Sequence, residues 1–266
     1  MATEDPSKRK GSHSELNDQL STPVAETRSG QRVQQPHGQA HKIAKKIIKL
    51  LLPPRVVQEV NQYRKYKRIE RPIYLKIRML DGLGLHVNKK PKNLSDARSF
   101  LFVCFGNIMR SPMCEALMRQ ELTRFPHIQV KVTSAGLNAT PGKQAHPWAL
   151  ATAPQFGVSL EHHGARLLTA EMVNQADAIF AMDYQNQVEL FCRYPSAREK
   201  VCMFSVYAGP DYRLVEIRDP FYGSEIETRR CYSILQTCVH NLVSTLASLT
   251  PPNPEARGRS TAQVSR

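Results

Sequence analysis

Short apolar runs alternate with longer helical patterns from about residue 97 onward. Four runs bounded by polar turns predict strands, at residues 100–103, 130–133, 178–181 and 201–204. Apolar residues at helical spacing predict helices between and after them, at residues 111–122, 147–155, 184–191 and 225–249. Strands that alternate with helices form parallel sheets covered on both faces. The pattern therefore predicts an α/β domain over residues 97–250, a four-stranded parallel sheet flanked by helices, with ligands bound beyond the carboxyl ends of the strands.

The first 96 residues follow a different pattern. Residues 1–41 are polar and show no sustained apolar periodicity, so we predict that they are disordered. Residues 42–96 form a basic extension with predicted helices at 42–52, 56–68 and 72–82, and a polar linker from 88 to 96. The tail over 251–266 is predicted to be disordered as well.

Positive charge is concentrated in this extension. The chain has 266 residues, with 37 Lys+Arg against 23 Asp+Glu and a net charge of +14. Residues 1–96 carry +11 and residues 97–266 only +3, so nucleic-acid binding by the whole protein is not expected. Residues 42–78 hold twelve Lys+Arg and two acidic residues, a pattern that favours an anionic membrane surface. It suits an acidic partner or nucleic acid equally. For residues 72–80 we favour instead a helix that packs Ile73, Ile77 and Leu80 on the following domain, with its charges in water.

Neither a membrane span nor a secretory signal is expected. No uncharged apolar run approaches the roughly 18 residues that a spanning helix needs, and residues 1–10 are charged. We therefore expect a cytoplasmic protein, peripheral at the membrane if the basic segment binds lipid. Six cysteines without a Cys-x-x-Cys pair favour reduced thiols over a disulfide framework or a zinc site, and no metal or cofactor is expected.

The loop after the first predicted strand carries the strongest chemical signal. Its sequence is Cys104-Phe105-Gly106-Asn107-Ile108-Met109-Arg110-Ser111-Pro112. A cysteine at a strand end, six residues before an arginine at a helix start, places a thiol and a guanidinium around a loop of backbone amides. The helix N-terminus and Arg110 both favour the nucleophilic thiolate, and the guanidinium can bind two phosphate oxygens at once. The pattern therefore predicts a phosphate-binding loop with Cys104 as nucleophile.

Residues 103–116 closely resemble the phosphate loop of the low-molecular-weight protein tyrosine phosphatases. The resemblance covers about residues 99–248 and includes a second motif, similar to that family's Asp-Pro-aromatic acid loop, in Arg218-Asp219-Pro220-Phe221-Tyr222. It implies a four-stranded parallel sheet and a phosphomonoester hydrolase that dephosphorylates protein phosphotyrosine through a phosphocysteine. No metal takes part in that reaction.

The resemblance also implies a role for each matched residue. Cys104 attacks phosphorus, Arg110 stabilises the transferring phosphoryl group, and Asp219 protonates the leaving group. Phe221 is expected to form a wall of the substrate cleft. The expected phosphate-binding residues are Phe105, Gly106, Asn107, Ile108, Met109, Arg110 and Ser111, and the residues expected to support the loop are Asn107, Ser111, Ser134 and His163.

Two positions in the loop bear on its chemistry. Met109 stands where the family commonly has a second cysteine, so the usual reversible disulfide with the nucleophile cannot form, and Cys114 is the candidate substitute. Ile108 resembles the phosphotyrosine branch, since the phosphoarginine branch usually has threonine there.

Two alternative functions stay open at this point. One is a thioredoxin-coupled arsenate reductase, which would need further redox cysteines that Cys192 and Cys202 do not obviously supply. The other is a catalytically idle phosphotyrosine-binding scaffold. The presence of Cys104, Arg110 and Asp219 argues against it, because a binding module needs neither the nucleophile nor the acid.

Overall fold

A computed structural model describes residues 53–83, 85, 89–91, 93–209 and 216–250. The segments predicted as disordered, 1–41 and 251–266, and the predicted helix over 42–52 lie outside the described residues. The described part contains one parallel sheet with strand order β2-β1-β3-β4. Its strands are β1 (Ser99–Cys104), β2 (Lys131–Gly136), β3 (Ala178–Ala181) and β4 (Val201–Met203). The predicted four-stranded parallel α/β fold is thereby confirmed.

Seven α-helices accompany the sheet in the described part of the chain. They are α1 (Pro54–Lys65), α2 (Arg71–Gly82), α3 (Arg110–Leu122), α4 (Pro147–Thr152), α5 (Ala170–Gln175), α6 (Tyr184–Arg193) and α7 (Glu225–Leu249). The bounds of α7 agree with the prediction. Its start is stabilised by a capping box, in which the side chains of Ser224 and Glu227 each accept a hydrogen bond from the other residue's backbone N–H. Among these helices, none is long and apolar enough to cross a bilayer.

Two predicted helices differ from the structure, and one helix was missed. The helix expected over residues 56–68 is α1, which begins at Pro54 and ends at Lys65. The helix expected over residues 147–155 ends at Thr152 and tightens into a 3₁₀ turn, Ala153–Phe156. Pro154 has no backbone N–H to continue the α-helical hydrogen bonds, which explains the early end. Helix α5 was not predicted at all; it is only six residues long and starts at the side-chain cap of Thr169.

The hydrophobic core lies on both faces of the sheet. Phe100 and Phe102 of β1 point to one face, where they pack in a cluster with residues of α3 and α7. Leu101 and Val103 alternate with them and pack in the opposite cluster, with residues of α6. All four side chains are at most 1% exposed, as expected for a strand covered on both faces.

Helices α1 and α2, which we call the N-terminal hairpin (residues 54–82), extend the second cluster. Tyr74 and Ile77 of α2 are buried there beside Val188 and Leu190 of α6. The hairpin thus belongs to the same compact unit as the sheet. The domain boundary that the sequence predicts at residue 97 stays a prediction.

The carboxyl ends of three strands meet at one edge of the sheet. Cys104, the last residue of β1, is paired with Gly136, the last residue of β2. On the other side of β1, Val103 is paired with Ala181 at the end of β3. The loops that follow these strands therefore converge where open α/β sheets bind ligands.

Candidate active site

Cys104 lies at this edge, at the start of the loop that leads into α3. Its side chain is almost fully buried, at 3% exposure. The sulfur lies 3.0 Å from the Ser111 hydroxyl, and the backbone N–H of Asn107 donates to it at 3.3 Å. Both groups lie within hydrogen-bond distance of the sulfur and can donate to it.

Asn107 holds the loop in shape from inside. It is completely buried and has a left-handed backbone conformation (φ 52°), which asparagine tolerates better than most residues. Its amide nitrogen donates to the hydroxyls of Ser111 and Ser134, each at 2.9 Å, and its amide oxygen accepts from the Arg166 N–H at 2.8 Å. His163 donates to the Asn107 carbonyl oxygen at 2.6 Å. The structure therefore brings all four expected support residues into one network.

Two residues of this network were missed in the sequence. The Arg166 guanidinium donates to the Ser134 carbonyl oxygen at 2.9 Å and forms an ion pair with Glu115. Glu115 also accepts from the Ser134 hydroxyl at 2.7 Å. One signal was available, because Glu115 lies four residues after Ser111 and thus on the same face of α3.

Arg110 is almost fully buried, at 1% exposure. Nη1 donates to Asp183 Oδ2 at 2.6 Å and to the Ile217 carbonyl oxygen at 2.8 Å, and Nη2 donates to Asp219 Oδ2 at 2.6 Å. Burial alone would lower the pKa of Arg110, but its two carboxylate partners raise it above the ordinary value. Nε has no hydrogen-bond partner among the described residues, so one donor remains for a further acceptor.

Asp183 is a third residue that the sequence did not reveal. It is the N-cap of α6, where Oδ1 accepts from the Asn186 N–H at 2.8 Å while Oδ2 binds Arg110. An aspartate directly before a predicted helix signals a cap. Its second bond, to a side chain 73 residues away, is a tertiary contact that such a signal cannot reveal.

Asp219 reaches the site from the loop before α7. Its side chain is 38% exposed, in contrast to the buried arginine that it binds. Oδ1 accepts from the Phe221 N–H at 3.2 Å, which leaves Oδ2 for Arg110. Of the three residues predicted to carry the reaction, Arg110 and Asp219 are thus in direct contact, and Cys104 lies at the other end of the loop that leads to Arg110.

Two rings, those of Phe221 and His146, lie beside the Cys104 loop. Phe221 is partly buried against Ile108 and Met109, and its ring lies 5.2 Å from that of His146. Partial burial and Lys143 lower the pKa of His146, so the ring is neutral at pH 7. The loop over 137–143 has no aromatic residue. His146, slightly further along the chain, supplies the ring that lies beside Phe221.

Three of the buried cysteines are poorly placed for thiol chemistry. Cys114 is fully buried, and burial raises its pKa well above the ordinary value. Burial likewise raises the pKa of Cys231 to about 12, and Cys202 lies inside β4 at 3% exposure. These thiols stay protonated near neutral pH, which disfavours them as partners in thiol exchange.

Comparison with known proteins places this geometry in a family. The family model described as low molecular weight phosphotyrosine protein phosphatase matches residues 99–250. The low molecular weight protein-tyrosine-phosphatase Etp of Escherichia coli is 37% identical over 138 residues, which cover 52% of this chain and 87% of Etp.

Solved structures agree with this match. The Erwinia amylovora tyrosine phosphatase AmsI is 33% identical, with a TM-score of 0.51 over 57% of this chain and 94% of AmsI. A protein tyrosine phosphatase of Entamoeba histolytica is 30% identical, with a TM-score of 0.53 over 57% of this chain and 97% of its own. Because the family model covers more than half of the sequence, including the Cys104 loop and Asp219, the chain belongs to the low molecular weight phosphotyrosine protein phosphatase family.

Proposed function

We propose that this protein hydrolyses phosphotyrosine in protein substrates through a phosphocysteine on Cys104. The observation that carries the proposal is the arrangement around Arg110, which joins the loop of the buried thiol to the aspartate of the second motif at 2.6 Å. Relatives named as protein-tyrosine-phosphatases, Etp and AmsI among them, support the same reaction.

In the first step, the Cys104 thiolate attacks phosphorus opposite the phenolic oxygen. The S–P bond forms as the P–O bond to tyrosine breaks, and Asp219 gives its proton to the departing oxygen. The conjugate acid of that oxygen has a pKa of about 10, so at neutral pH it leaves far more readily as the neutral phenol. A positioned acid of this kind contributes about 10²- to 10⁴-fold in rate.

In the second step, a water molecule attacks the phosphocysteine. Asp219, now ionised, takes a proton from the water, and the S–P bond breaks to release inorganic phosphate and the thiolate. The Ser111 hydroxyl, 3.0 Å from the sulfur, donates to the departing thiolate and makes it a better leaving group.

Arg110 serves both steps by binding the equatorial phosphate oxygens, where charge is spread in the transition state. Backbone N–H groups over residues 105–110 bind the same oxygens. Nη2 is bound to the half-exposed Asp219 and Nη1 to the more buried Asp183, so we infer that an incoming phosphate competes with Asp219 and not with Asp183. Asp219 then faces the leaving oxygen, to which it donates as the general acid.

The remaining site residues keep the loop and the substrate in place. Asn107, with Ser134 and His163, supports the loop from the buried side. Phe221 and His146 form one wall of the cleft, against which a substrate phenyl ring packs.

Hydrolysis of an aryl phosphate and of a phosphotyrosine peptide tests this mechanism. We expect Cys104→Ser to abolish turnover, and Asp219→Ala to lower kcat by about 10²- to 10⁴-fold. Cys192→Ser, which changes a partly exposed cysteine on α6, is the matched control and should keep full activity. Turnover by Cys104→Ser at the wild-type rate would exclude a phosphocysteine.

The same proteins separate the alternatives. An arsenate reductase would consume thiols in the presence of arsenate without releasing phosphate from aryl esters, and the burial of Cys114 and Cys202 disfavours that chemistry. A binding scaffold would retain phosphotyrosine peptides and turn over none of them.

We further propose that the basic segment over residues 42–78 binds an anionic membrane surface. In the described part of this segment, the exposed basic residues are Arg64, Lys65, Lys67, Arg68 and Lys76. Leu75, Met79 and Leu83 lie on the outer face of α2 and just after it, 51% to 65% exposed. An acidic protein partner needs only the charge, whereas a lipid surface takes up both charge and apolar side chains. Each basic residue close to such a surface contributes about 1 kcal/mol.

Co-sedimentation with vesicles tests this location. We expect the full chain to pellet with phosphatidylserine vesicles, less so in high salt, and to stay in the supernatant with neutral phosphatidylcholine. Replacing Leu75, Met79 and Leu83 with serine should weaken binding, whereas Ile226→Ser, at an equally exposed position on α7, should not. Equal pelleting of the triple variant and wild type would favour a purely electrostatic partner.

A further inference from the structure

The N-terminal hairpin precedes the residues that match the family model, yet it packs against α6, the helix whose N-cap Asp183 binds Arg110. The family match begins at residue 99, whereas the hairpin covers 54–82. Its contact with α6 involves Tyr184, the first residue of that helix. This tyrosine is 5% exposed and therefore nearly enclosed.

Two charged residues of the hairpin hold the Tyr184 hydroxyl. The hydroxyl donates to Asp81, and Arg78 Nη1 donates to it at 3.2 Å. The Arg78 guanidinium also lies 5.0 Å from the centre of the Tyr184 ring, and the Tyr74 ring meets that ring edge-on at 6.3 Å. Arg78 is itself held by an ion pair with Glu59 of α1. Both helices of the hairpin thus fix the position of one tyrosine.

The residue before this tyrosine is Asp183, the carboxylate that binds Arg110. Asp183 and Tyr184 are consecutive, at the N-cap and first position of α6, so they move together with the first helical turn. Glu216 supports the same turn, because it accepts from the Tyr184 N–H at 3.3 Å. A continuous set of contacts therefore leads from Asp81 and Arg78 to the catalytic guanidinium.

We propose that Tyr184 is a positioning residue through which the N-terminal hairpin sets the orientation of Arg110. The inference rests on the proposed phosphatase function, since its consequence is the placement of the phosphoryl group. Asp183 binds Arg110 Nη1 and is, in the proposed mechanism, the carboxylate that stays on the guanidinium when substrate displaces Asp219. Any shift of the first turn of α6 therefore moves the guanidinium as well. Small shifts matter here, because a misplacement of about 1 Å can cost about 10²-fold in rate.

Tyr184→Phe removes the hydroxyl and keeps the ring, which makes it the sharpest variant. We expect kcat/KM for an aryl phosphate to fall about tenfold. Inhibition by vanadate, which copies the trigonal-bipyramidal transition state, should weaken by a similar factor. Loss of folded protein would reduce the active fraction but leave the vanadate inhibition constant of the remaining enzyme unchanged, so the two effects separate.

Tyr74→Phe is the matched control. Its hydroxyl donates to Glu59 at 2.8 Å, within the hairpin, so the variant loses a hydrogen bond of the same kind. The Tyr184 hydroxyl keeps its bonds to Asp81 and Arg78, and Arg78 keeps its ion pair with Glu59. We expect it to keep the wild-type vanadate inhibition constant. Equal vanadate inhibition of Tyr184→Phe and wild type would overturn the proposal.

Asp81→Ala removes the acceptor of the Tyr184 hydroxyl and provides a second test, which still applies if Tyr184→Phe folds poorly. Alone, Asp81→Ala should weaken vanadate inhibition as Tyr184→Phe does. In a double-mutant cycle with Tyr184→Phe, it should add little. Fully additive effects would show that the hairpin does not act through this hydroxyl. If wild type itself hydrolyses no aryl phosphate, the proposed function fails and not the positioning role.

Discussion

Gly136 offers the sharpest test of how the phosphate loop is held. It is the last residue of β2, and its missing side chain lets the backbone of the loop pass directly over it. A Cβ at this position would lie 2.7 Å from the nitrogen of Asn107, 2.8 Å from the carbonyl carbon of Gly106 and 2.8 Å from the carbonyl oxygen of Phe105. Because ordinary carbon contacts lie at about 3.5–4.0 Å, Gly136→Ala forces the loop outward by up to about 1 Å.

The strand cannot move away instead, because Gly136 is bonded on both sides. Its N–H donates to the Arg166 carbonyl oxygen at 2.8 Å, and its carbonyl oxygen accepts from the Leu168 N–H at 2.9 Å. Overpacking of this kind lowers the free energy of unfolding by about 1–3 kcal/mol. A displacement of the loop by about 1 Å should lower kcat/KM by about 10²-fold. The catalytic side chains themselves are unchanged.

Aryl phosphate kinetics and urea denaturation of the two alanine variants Gly136→Ala and Gly164→Ala measure this effect. A Cβ at Gly164 would have its nearest neighbour at 3.6 Å, an ordinary contact, so that variant should stay within about twofold of wild type. If Gly136→Ala were as active and as stable as Gly164→Ala, the phosphate loop could not be held by this backbone contact, and the reasoning would be refuted.

Three further predictions follow from the network and the caps. Asn107→Ala should lower the free energy of unfolding by about 3 kcal/mol, because it removes three buried hydrogen bonds of about 1 kcal/mol each. Asn107→Gly should lower the free energy of unfolding by about 1 kcal/mol less than Asn107→Ala, because glycine tolerates a positive φ. Identical urea denaturation curves of the two variants would argue against backbone strain at this position. Partial burial lowers the pKa of His146, and its neutral Nδ1 accepts a hydrogen bond from the Trp148 N–H. The stabilising effect of this hydrogen bond is therefore full at pH values above the ordinary pKa of histidine, and it is lost as the pH falls through the lowered pKa. The melting-temperature difference between wild type and His146→Ala should therefore shrink between pH 7 and pH 5, and a constant difference would contradict this role. The backbone N–H of Arg98 donates to Asp177 and lowers the pKa of this carboxyl group. Asp177→Ala should therefore lower the free energy of unfolding by about 1 kcal/mol at pH 7, and by less as the pH falls below about 4. Thermal melts of both proteins at pH 7 and below pH 4 measure this difference.

Most of the fold was readable in the pattern because it rests on local signals. The four strands were placed within a few residues, and α7 was assigned its correct bounds from its helical pattern and the prolines that follow it. The errors lie where the local signal was short or interrupted. A helix of six residues such as α5 has too few turns to show periodicity, and Pro154 ended α4 inside a run that otherwise continued.

The sequence alone determined the chemical groups and their local order: a thiol at a strand end, a guanidinium at a helix start six residues later, and an Asp-Pro-aromatic motif further along. The tertiary structure decided which carboxylates surround Arg110, that Glu115 and Arg166 brace the loop, and that the N-terminal hairpin contacts the helix capped by Asp183. Spacing along the chain specifies contacts within a turn, a helix or a loop. Arg110 is separated from Asp183 by 73 positions and from Asp219 by 109. These contacts exist only because the strand order β2-β1-β3-β4 brings the ends of distant segments to one edge of the sheet.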